Sequence, residues 1–421
     1  MCLLTLESSN PQFSYIINKN PASGMSVRDM RSGRAFGYFN ENNLSQYVIY
    51  FNDADNKISY KLYAAQEFEY LNHLKYTSPI FVLNAIHEFF NDNHKKKNDD
   101  DTDGFVNSLC VLSVHIQQLT FNTIKKLDSF FSDFTIDCEK KITNTFKVTI
   151  STKKSIKHLI NFAIMYFGII SCMNENDLDL TDSGIERIIT AINQLAAPYY
   201  VRYIFASRVM GVQRNFKKFK NILQAPNTKM CFGNTAMQRR DHIQSLILFD
   251  KPIIDIGCGD GFYAIPFAQK LKGLIYHAVD IDNDCLISII KKAKKNGITN
   301  IATFKSHNEL ALLDKSKSYD IIISEVVEHM EEKESADIIK FVLDNIPFNK
   351  IIITTPNYEF NKHYQIEGFR HFDHKWEYTR PQFESYMRKI LENYKFGVTF
   401  IGMGDTVDGS PVTQGVVITQ R

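Results

Sequence analysis

Ile253-Ile254-Asp255-Ile256-Gly257-Cys258-Gly259-Asp260-Gly261 decides the fold of the second half of this chain. A short buried strand, Ile253-Ile254-Asp255, runs into three glycines at alternate positions, and Gly261 to Leu271 reads as a helix. Glycine lets the backbone turn tightly and approach a ligand with no Cβ in the way. The next strand, Leu274 to Val279, ends at Asp280, about 20 residues on, where a carboxylate accepts hydrogen bonds from ribose hydroxyls. The spacing is G-x-G-x-G, not the dinucleotide G-x-G-x-x-G, and Asp255 precedes the first glycine. A carboxylate there repels a pyrophosphate and suits an ammonium. Asp255, Gly257, Gly259 and Asp280 therefore point to S-adenosylmethionine, which carries an amino-acid tail. NAD is the lesser rival, and a glycine-rich turn without a ligand is the bland one.

Outward from this loop, strands and helices alternate. Asn283 to Lys295 is a helix with a basic outer face, ended by Gly297. Ile301 to Phe304 and Asp320 to Ser324 are strands, Glu332 to Leu343 a helix, Ile351 to Thr354 a strand and Pro381 to Asn393 a helix. Strands around Val398 to Ile401 and Gly415 to Thr419 follow. This order predicts an α/β domain with a parallel, doubly wound sheet, beginning near residue 226. Such sheets bind ligands beyond the carboxyl ends of their strands.

At one such end stands Ser324-Glu325-Val326-Val327-Glu328-His329. If a helix starts there, Glu325, Glu328 and His329 share a face at i, i+3 and i+4. A second polar segment, Thr354 to Arg380, is long for a structureless loop in a compact domain. It is able to return His371 or His374 to the first cluster. Two carboxylates and two imidazoles form a mixed oxygen and nitrogen set suited to an open Mg²⁺, Mn²⁺ or Fe²⁺-like centre. The competing reading is a solvated helix start whose acids complement the dipole.

The first half is organised differently. Tyr47 to Phe51 and Phe146 to Ile150 read as strands and Ser155 to Cys172 as a helix, giving a mixed α+β region over residues 1–225. His94 to Gly104 is a low-complexity run of Lys, Asn and Asp, expected to bury nothing and to form a mobile loop. The chain has 421 residues, 44% hydrophobic and 23% charged, which excludes wholesale disorder. Its 49 Lys and Arg against 47 Asp and Glu leave a net charge of +2, so nucleic-acid contact has to come from local patches. Candidates are Arg214 to Lys220, Gln238-Arg239-Arg240 and Lys291 to Lys295, the last reading first as a solvated helix face. Trp376 either stacks on a base or pins its loop to the core. Met1 to Glu7 has no basic leader, and the apolar stretch Leu159 to Met173 falls short of the ~20 residues of a bilayer span. A buried helix, no membrane and a cytoplasmic location are expected. Seven cysteines with no paired spacing suit a reducing compartment.

Taken together, Glu325-x-x-Glu328-His329, Thr355-Pro356-Asn357 and Arg370-His371-x-Asp373-His374-Lys375-Trp376-Glu377-Tyr378-Thr379-Arg380-x-x-Phe383 resemble the small-RNA 3′-terminal ribose 2′-O-methyltransferases of the Hua-enhancer type. The family's usual D-H-(K/R)-F-E-W-T-R differs in that Trp376 and Tyr378 exchange the aromatic types. Leu4 to Pro21, Ser32 to Phe36, Tyr76 to Val82 and Gly409 to Gln414 are similar to the bacterial members. The resemblance implies a Rossmann-like class I methyltransferase domain over 226–421. It implies Mg²⁺ or Mn²⁺ on Glu325, Glu328, His329 and His374, gripping the 2′- and 3′-hydroxyls of the last ribose of an RNA with a free 3′-terminal 2′,3′-diol. Ser306 and His307 would lie near the adenine, and His371 would relay a proton. A polynucleotide kinase–phosphatase–ligase is the implied partner, with residues 1–225 as its activating module in RNA repair. Two other functions fit less well: a non-catalytic adaptor that activates a ligase, and a methyltransferase acting on a small diol such as a catechol.

Overall fold

The computed structural model of the chain describes residues 3–30, 33–52, 77–93, 95–96, 98–174 and 180–420. The chain divides into two compact units, Met1–Ala225 and Pro226–Arg421. Parts of the stretches cited above, namely Met1, Cys2, Ser32, Tyr76, His94 and Lys97, lie outside the described residues.

The first unit holds seven antiparallel strands among its described residues: β1 (Leu3–Ser8), β2 (Ser26–Met30), β3 (Gly33–Asn40), β4 (Asn43–Asn52), β5 (Asn107–His115), β6 (Phe134–Ile142) and β7 (Thr145–Thr152). Their order is β2-β3-β4-β1-β5-β7-β6. In β1 every second residue, Leu4, Leu6 and Ser8, is buried, the period of a strand with one face on a core. Ile156–Met173 is the one helix among the described residues long and apolar enough, by length and composition, to cross a membrane. Every residue from Leu159 to Met173 is buried, as expected of a core helix.

The low-complexity run departs from expectation. Asp101 Oδ1 and Oδ2 accept hydrogen bonds from the backbone N–H groups of Ile156 and Lys157 at 2.7 and 2.8 Å. Asp103 Oδ1 accepts one from Ser155 N–H at 2.9 Å. Asp101 and Asp103 therefore cap the buried helix and are fixed in place. They satisfy the orphan amides of a helix start and complement the dipole.

The second unit contains β8 (Thr228–Lys229), β9 (Ile253–Ile256), β10 (Tyr276–Val279), β11 (Ile301–Phe304), β12 (Tyr319–Ser324), β13 (Phe348–Pro356), β14 (Gly397–Val407) and β15 (Ser410–Thr419). The sheet order is β11-β10-β9-β12-β13-β15-β14-β8. β9 to β13 pair in parallel, and β15, β14 and β8 are added antiparallel. This is the expected α/β sheet, with helices at Thr235–Leu246, Asn283–Lys295, Glu332–Asn345 and Arg380–Ile390. Alternation along β9 sends Ile254 and Ile256 into one core layer and Ile253 into the other. Register then sets the site: Ile256 lies opposite Val279 on one side and Ile323 on the other, and Ser324 lies opposite Thr354. Gly257, Asp280, Glu325 and Thr355 thus emerge together at one carboxyl edge.

Two local readings are corrected. The helix expected over Gly261 to Leu271 shrinks to Ala264–Ala268, because turns occupy the residues after the glycine loop. No α-helix starts at Glu325: that residue adopts φ +55°, and Val327–His329 form a 3₁₀ turn.

Candidate methyltransferase and metal site

Gly257, Gly259 and Gly261 all have positive φ, at 74°, 52° and 90°. A Cβ on Gly257 would lie 2.3 Å from Val326 Cγ2, whereas one on Gly259 would meet nothing within 4 Å. The first glycine is demanded by packing. The third position of the loop is open, a cradle that a side chain would obstruct. Asp280 braces this loop: Oδ2 accepts from Gly259 N–H at 2.8 Å and Oδ1 from Asp282 N–H at 2.9 Å. Each carboxylate oxygen keeps a lone pair for a ribose hydroxyl.

Asp255 behaves differently from its reading as an ammonium partner. It is buried at 1% exposure, and Oδ2 accepts the Tyr276 hydroxyl proton at 2.6 Å. Burial pushes its carboxyl up to about 7, opposed by the Tyr276 bond and assisted by the charge of Asp280. Asp255 therefore sits buried behind the loop, bonded to the Tyr276 hydroxyl. Ser306 caps the 3₁₀ turn His307–Leu312, its Oγ accepting from Asn308 N–H at 3.2 Å. His307 packs edge-on against Phe341 at 5.1 Å.

The acid–histidine cluster assembles from two segments. Lys375 N–H donates to the Glu328 carbonyl at 2.7 Å, and Trp376 Nε1–H donates to the Met330 carbonyl at 3.0 Å. These two bonds lay the polar loop over the 3₁₀ turn. One ligand atom from each of Glu328, His329 and His374 then lies within 4.8 Å of the others. Glu328 is fully buried, and neither carboxylate oxygen makes a well-formed hydrogen bond among the described residues, the Thr355 hydroxyl being a near neighbour that favours the charged form. Burial, followed by the charge of Glu325, pushes its carboxyl well above the usual range. A buried carboxylate so weakly bonded costs free energy unless a proton or a cation meets it.

Both imidazoles are braced. His374 Nδ1–H donates to Glu377 Oε1 at 2.5 Å, and His329 Nδ1 lies 3.0 Å from Asp373 Oδ2. Carboxylates only accept, so Nδ1 carries the proton and the Nε2 lone pair is left for a ligand. Carboxylate–histidine pairs of this kind stand behind metal centres. Glu377 is itself held by Asn361 Nδ2 at 2.7 Å and by Arg370 N–H at 2.6 Å. Asp373 also takes His371 Nδ1–H at 2.5 Å, so His371 is oriented but exposed. The residues suit a divalent cation on mixed oxygen and nitrogen donors.

Glu325, expected as a fourth ligand, is engaged elsewhere. Its Oε2 lies 3.2 Å from Arg239 Nη1, and its Oε1 accepts from Thr354 Oγ1 at 3.1 Å. Arg239 also donates from Nε to Tyr263 Oη and Ser324 Oγ, each at 3.1 Å. Burial alone would lower its pKa, but Glu325 and Tyr263 raise it above the ordinary value. Arg239 thus faces inward and is no phosphate contact, unlike its sequence reading, while Arg240 stacks on Phe262 at 4.5 Å. Sequence reasoning missed Arg239, Asp373 and Glu377 as site residues. The two acids stand inside the quoted loop, and their offsets from His371 and His374 were the available signal.

The model of the Hen1 N-terminal domain matches residues 3–228, more than half of the chain. This chain belongs to the Hen1 family. A methyltransferase-domain model matches residues 253–344, which include the glycine loop and the Glu328-His329 turn. Among curated relatives of this Hen1-family chain, the small RNA 2′-O-methyltransferase of Gallus gallus is 27% identical over 189 residues, 41% of this chain and 49% of that protein. The protein of the same name from Arabidopsis thaliana is 29% identical over 184 residues, 38% of this chain and 19% of that one. The aligned segment thus spans about half the length of these relatives, or less. A chain in the structure of the Pnkp1/Rnl/Hen1 RNA repair complex matches with a TM-score of 0.83 and 23% identity, covering 99% of this chain and 100% of that one. Another structure of that complex gives a TM-score of 0.81 at 22% identity. The Hen1 fold is therefore present in both units.

Proposed function

We propose that this protein transfers the methyl group of S-adenosylmethionine to the 2′-hydroxyl of the 3′-terminal ribose of RNA, with Mg²⁺ or Mn²⁺ required. The single observation that carries this is Glu328: a buried carboxylate without a well-formed hydrogen bond, facing two imidazoles whose other nitrogens are braced by acids. Glu328, His329 and His374 would hold the cation, with Glu325 joining them on release from Arg239. When bound, a divalent cation lowers the pKa of a coordinated hydroxyl and neutralises charge that develops on it.

The chain's own residues supply the rest. The glycine loop and Asp280 bind the adenosine end of the donor, with Ser306 at its rim. Val326 packs on Gly257 and brings donor and acceptor recesses together, so that much of the barrier is met by alignment. His371, exposed and oriented by Asp373, accepts the 2′-hydroxyl proton. The oxygen gains the methyl, and S-adenosylhomocysteine leaves. Reading two vicinal hydroxyls selects RNA over DNA, which lacks the 2′-hydroxyl. The name of the matched complex supports a kinase–phosphatase–ligase partner in RNA repair, and we assign residues 1–225 to that partnership.

The test uses labelled S-adenosylmethionine with a short RNA ending in a 2′,3′-diol, its 2′-deoxy counterpart, catechol, and EDTA. Transfer to the diol RNA alone, abolished by chelator, is expected. Transfer to catechol alone would redirect the proposal to small diols, and no transfer to any acceptor would leave an adaptor.

A further inference from the structure

We propose that Phe372 forms a stacking platform for the base of the 3′-terminal nucleotide, a subsite distinct from the cation cluster; the proposal rests on the RNA reading above. Phe372 is 94% exposed, within a loop whose other members are tied down. On one side, Arg370 donates to the Asn361 side chain and to the Val412 and Asn357 carbonyls. On the other, Asp373, His374, Lys375 and Trp376 are held as described. Large aromatic rings bury much of their surface on average, and Phe372 is the most exposed large hydrophobic side chain among the described residues, on a loop that is otherwise anchored.

The rings beside it form a row. Phe372 lies 4.8 Å from His371 with planes tilted 33°, His371 lies 5.8 Å from His374, and His374 lies 4.7 Å from His329. The row leads from solvent to the cluster. A ribose bound at the cluster would leave its base free to meet the exposed end of this row. Stacking accepts every base, because every base has a π-face. That suits recognition of an RNA end irrespective of sequence. Trp376, the residue whose type most suggests stacking, is excluded: it is 6% exposed, lies 4.4 Å from Tyr378 and donates its indole N–H to Met330.

The experiment compares the full-length protein with Phe372→Ala and Phe372→Trp. With diol RNA, Phe372→Ala is expected to raise KM for RNA about tenfold and leave kcat within about twofold. KM for S-adenosylmethionine, Mn²⁺ affinity and Tm should stay unchanged, and Phe372→Trp should restore the RNA KM. The Phe372→Trp indole, exposed where Trp376 is buried, should be quenched by diol RNA and far less by RNA with an abasic 3′ end. An unaltered RNA KM in Phe372→Ala, or equal quenching by abasic RNA, overturns the platform. The quenching arm needs no turnover: if the wild-type protein fails to methylate RNA, the proposed function falls, while base-dependent quenching still upholds the subsite.

Discussion

Arg239 Nη1 stands 3.2 Å from Glu325 Oε2, so a carboxylate read from sequence as a cation ligand is here neutralised by an arginine. Both side chains are largely shielded, and removing one member of such a pair strands the other's charge. Arg239→Met should therefore lower unfolding free energy by about 3 kcal/mol in urea titrations without divalent ions. Saturating Mn²⁺ should recover part of that loss, because the freed carboxylate gains a new counter-charge. A variant as stable as wild type would indicate that solvent already screens the pair.

Glu328 gives the opposite stability effect. Its burial opposes folding when no cation is present, so Glu328→Gln should stabilise the metal-free protein by about 1 kcal/mol. The same change should remove the Mn²⁺-induced rise in Tm and reduce methyl transfer by at least about 100-fold, with S-adenosylmethionine affinity within a few fold. Calorimetry with and without Mn²⁺ checks both signs. Equal loss of cation and cofactor binding would contradict the assignment.

Asp373 and Glu377 orient the imidazoles without being counted as ligands. Asp373→Asn and Glu377→Gln are each expected to weaken Mn²⁺ binding about 10- to 100-fold by titration calorimetry. Glu377→Gln should also lower Tm, since it loosens the buried bonds to Asn361 and Arg370.

Two buried groups in the second unit give stability opposite slopes against pH. Burial pushes His277 down to about 4, so the native state binds fewer protons than the unfolded chain between about 6.5 and 4. Its contribution is complete above that window and is lost as pH falls through it. Asp255, pushed up to about 7, contributes stability that is complete at acid pH and is lost as pH rises toward 7. Tm measured from pH 4 to 7.5 should fall less on acidification in His277→Phe. In Asp255→Asn it should fall more. Parallel curves for all three proteins would refute both assignments.

Asp101 offers a test in the first unit. Asp101→Ala removes both side-chain bonds at the start of Ile156–Met173 and should destabilise the protein by about 1–2 kcal/mol. Asp101→Asn should retain about half of the effect, because one acceptor oxygen remains. Chemical denaturation of the full chain distinguishes the two.

The sheet was legible because periodicity and glycine placement are local signals: Ile253 to Gly261, Asp280 and Ser324 to His329 all fell at strand ends. Glu328, His329 and His374 were likewise legible as metal-type residues at suggestive offsets. Arg239 was not, because its role depends on a helix before β9 facing β12, 85 residues away in the chain, and a side chain's direction across that distance leaves no trace in spacing. The Asp-rich run was misread for a related reason. Composition describes acids in water, whereas Asp101 and Asp103 are fixed by amides of a helix more than 50 residues downstream. Trp376 carried two readings until its indole N–H found the Met330 carbonyl.

The isopropyl group of Val326 packs directly on Gly257 and so joins the glycine turn to the segment bearing Glu328. The two segments are therefore not independently adjustable. A larger residue at 326 would press on the glycine turn and on the Glu328 segment at once, and a smaller one would loosen both, so their spacing is set by one aliphatic side chain.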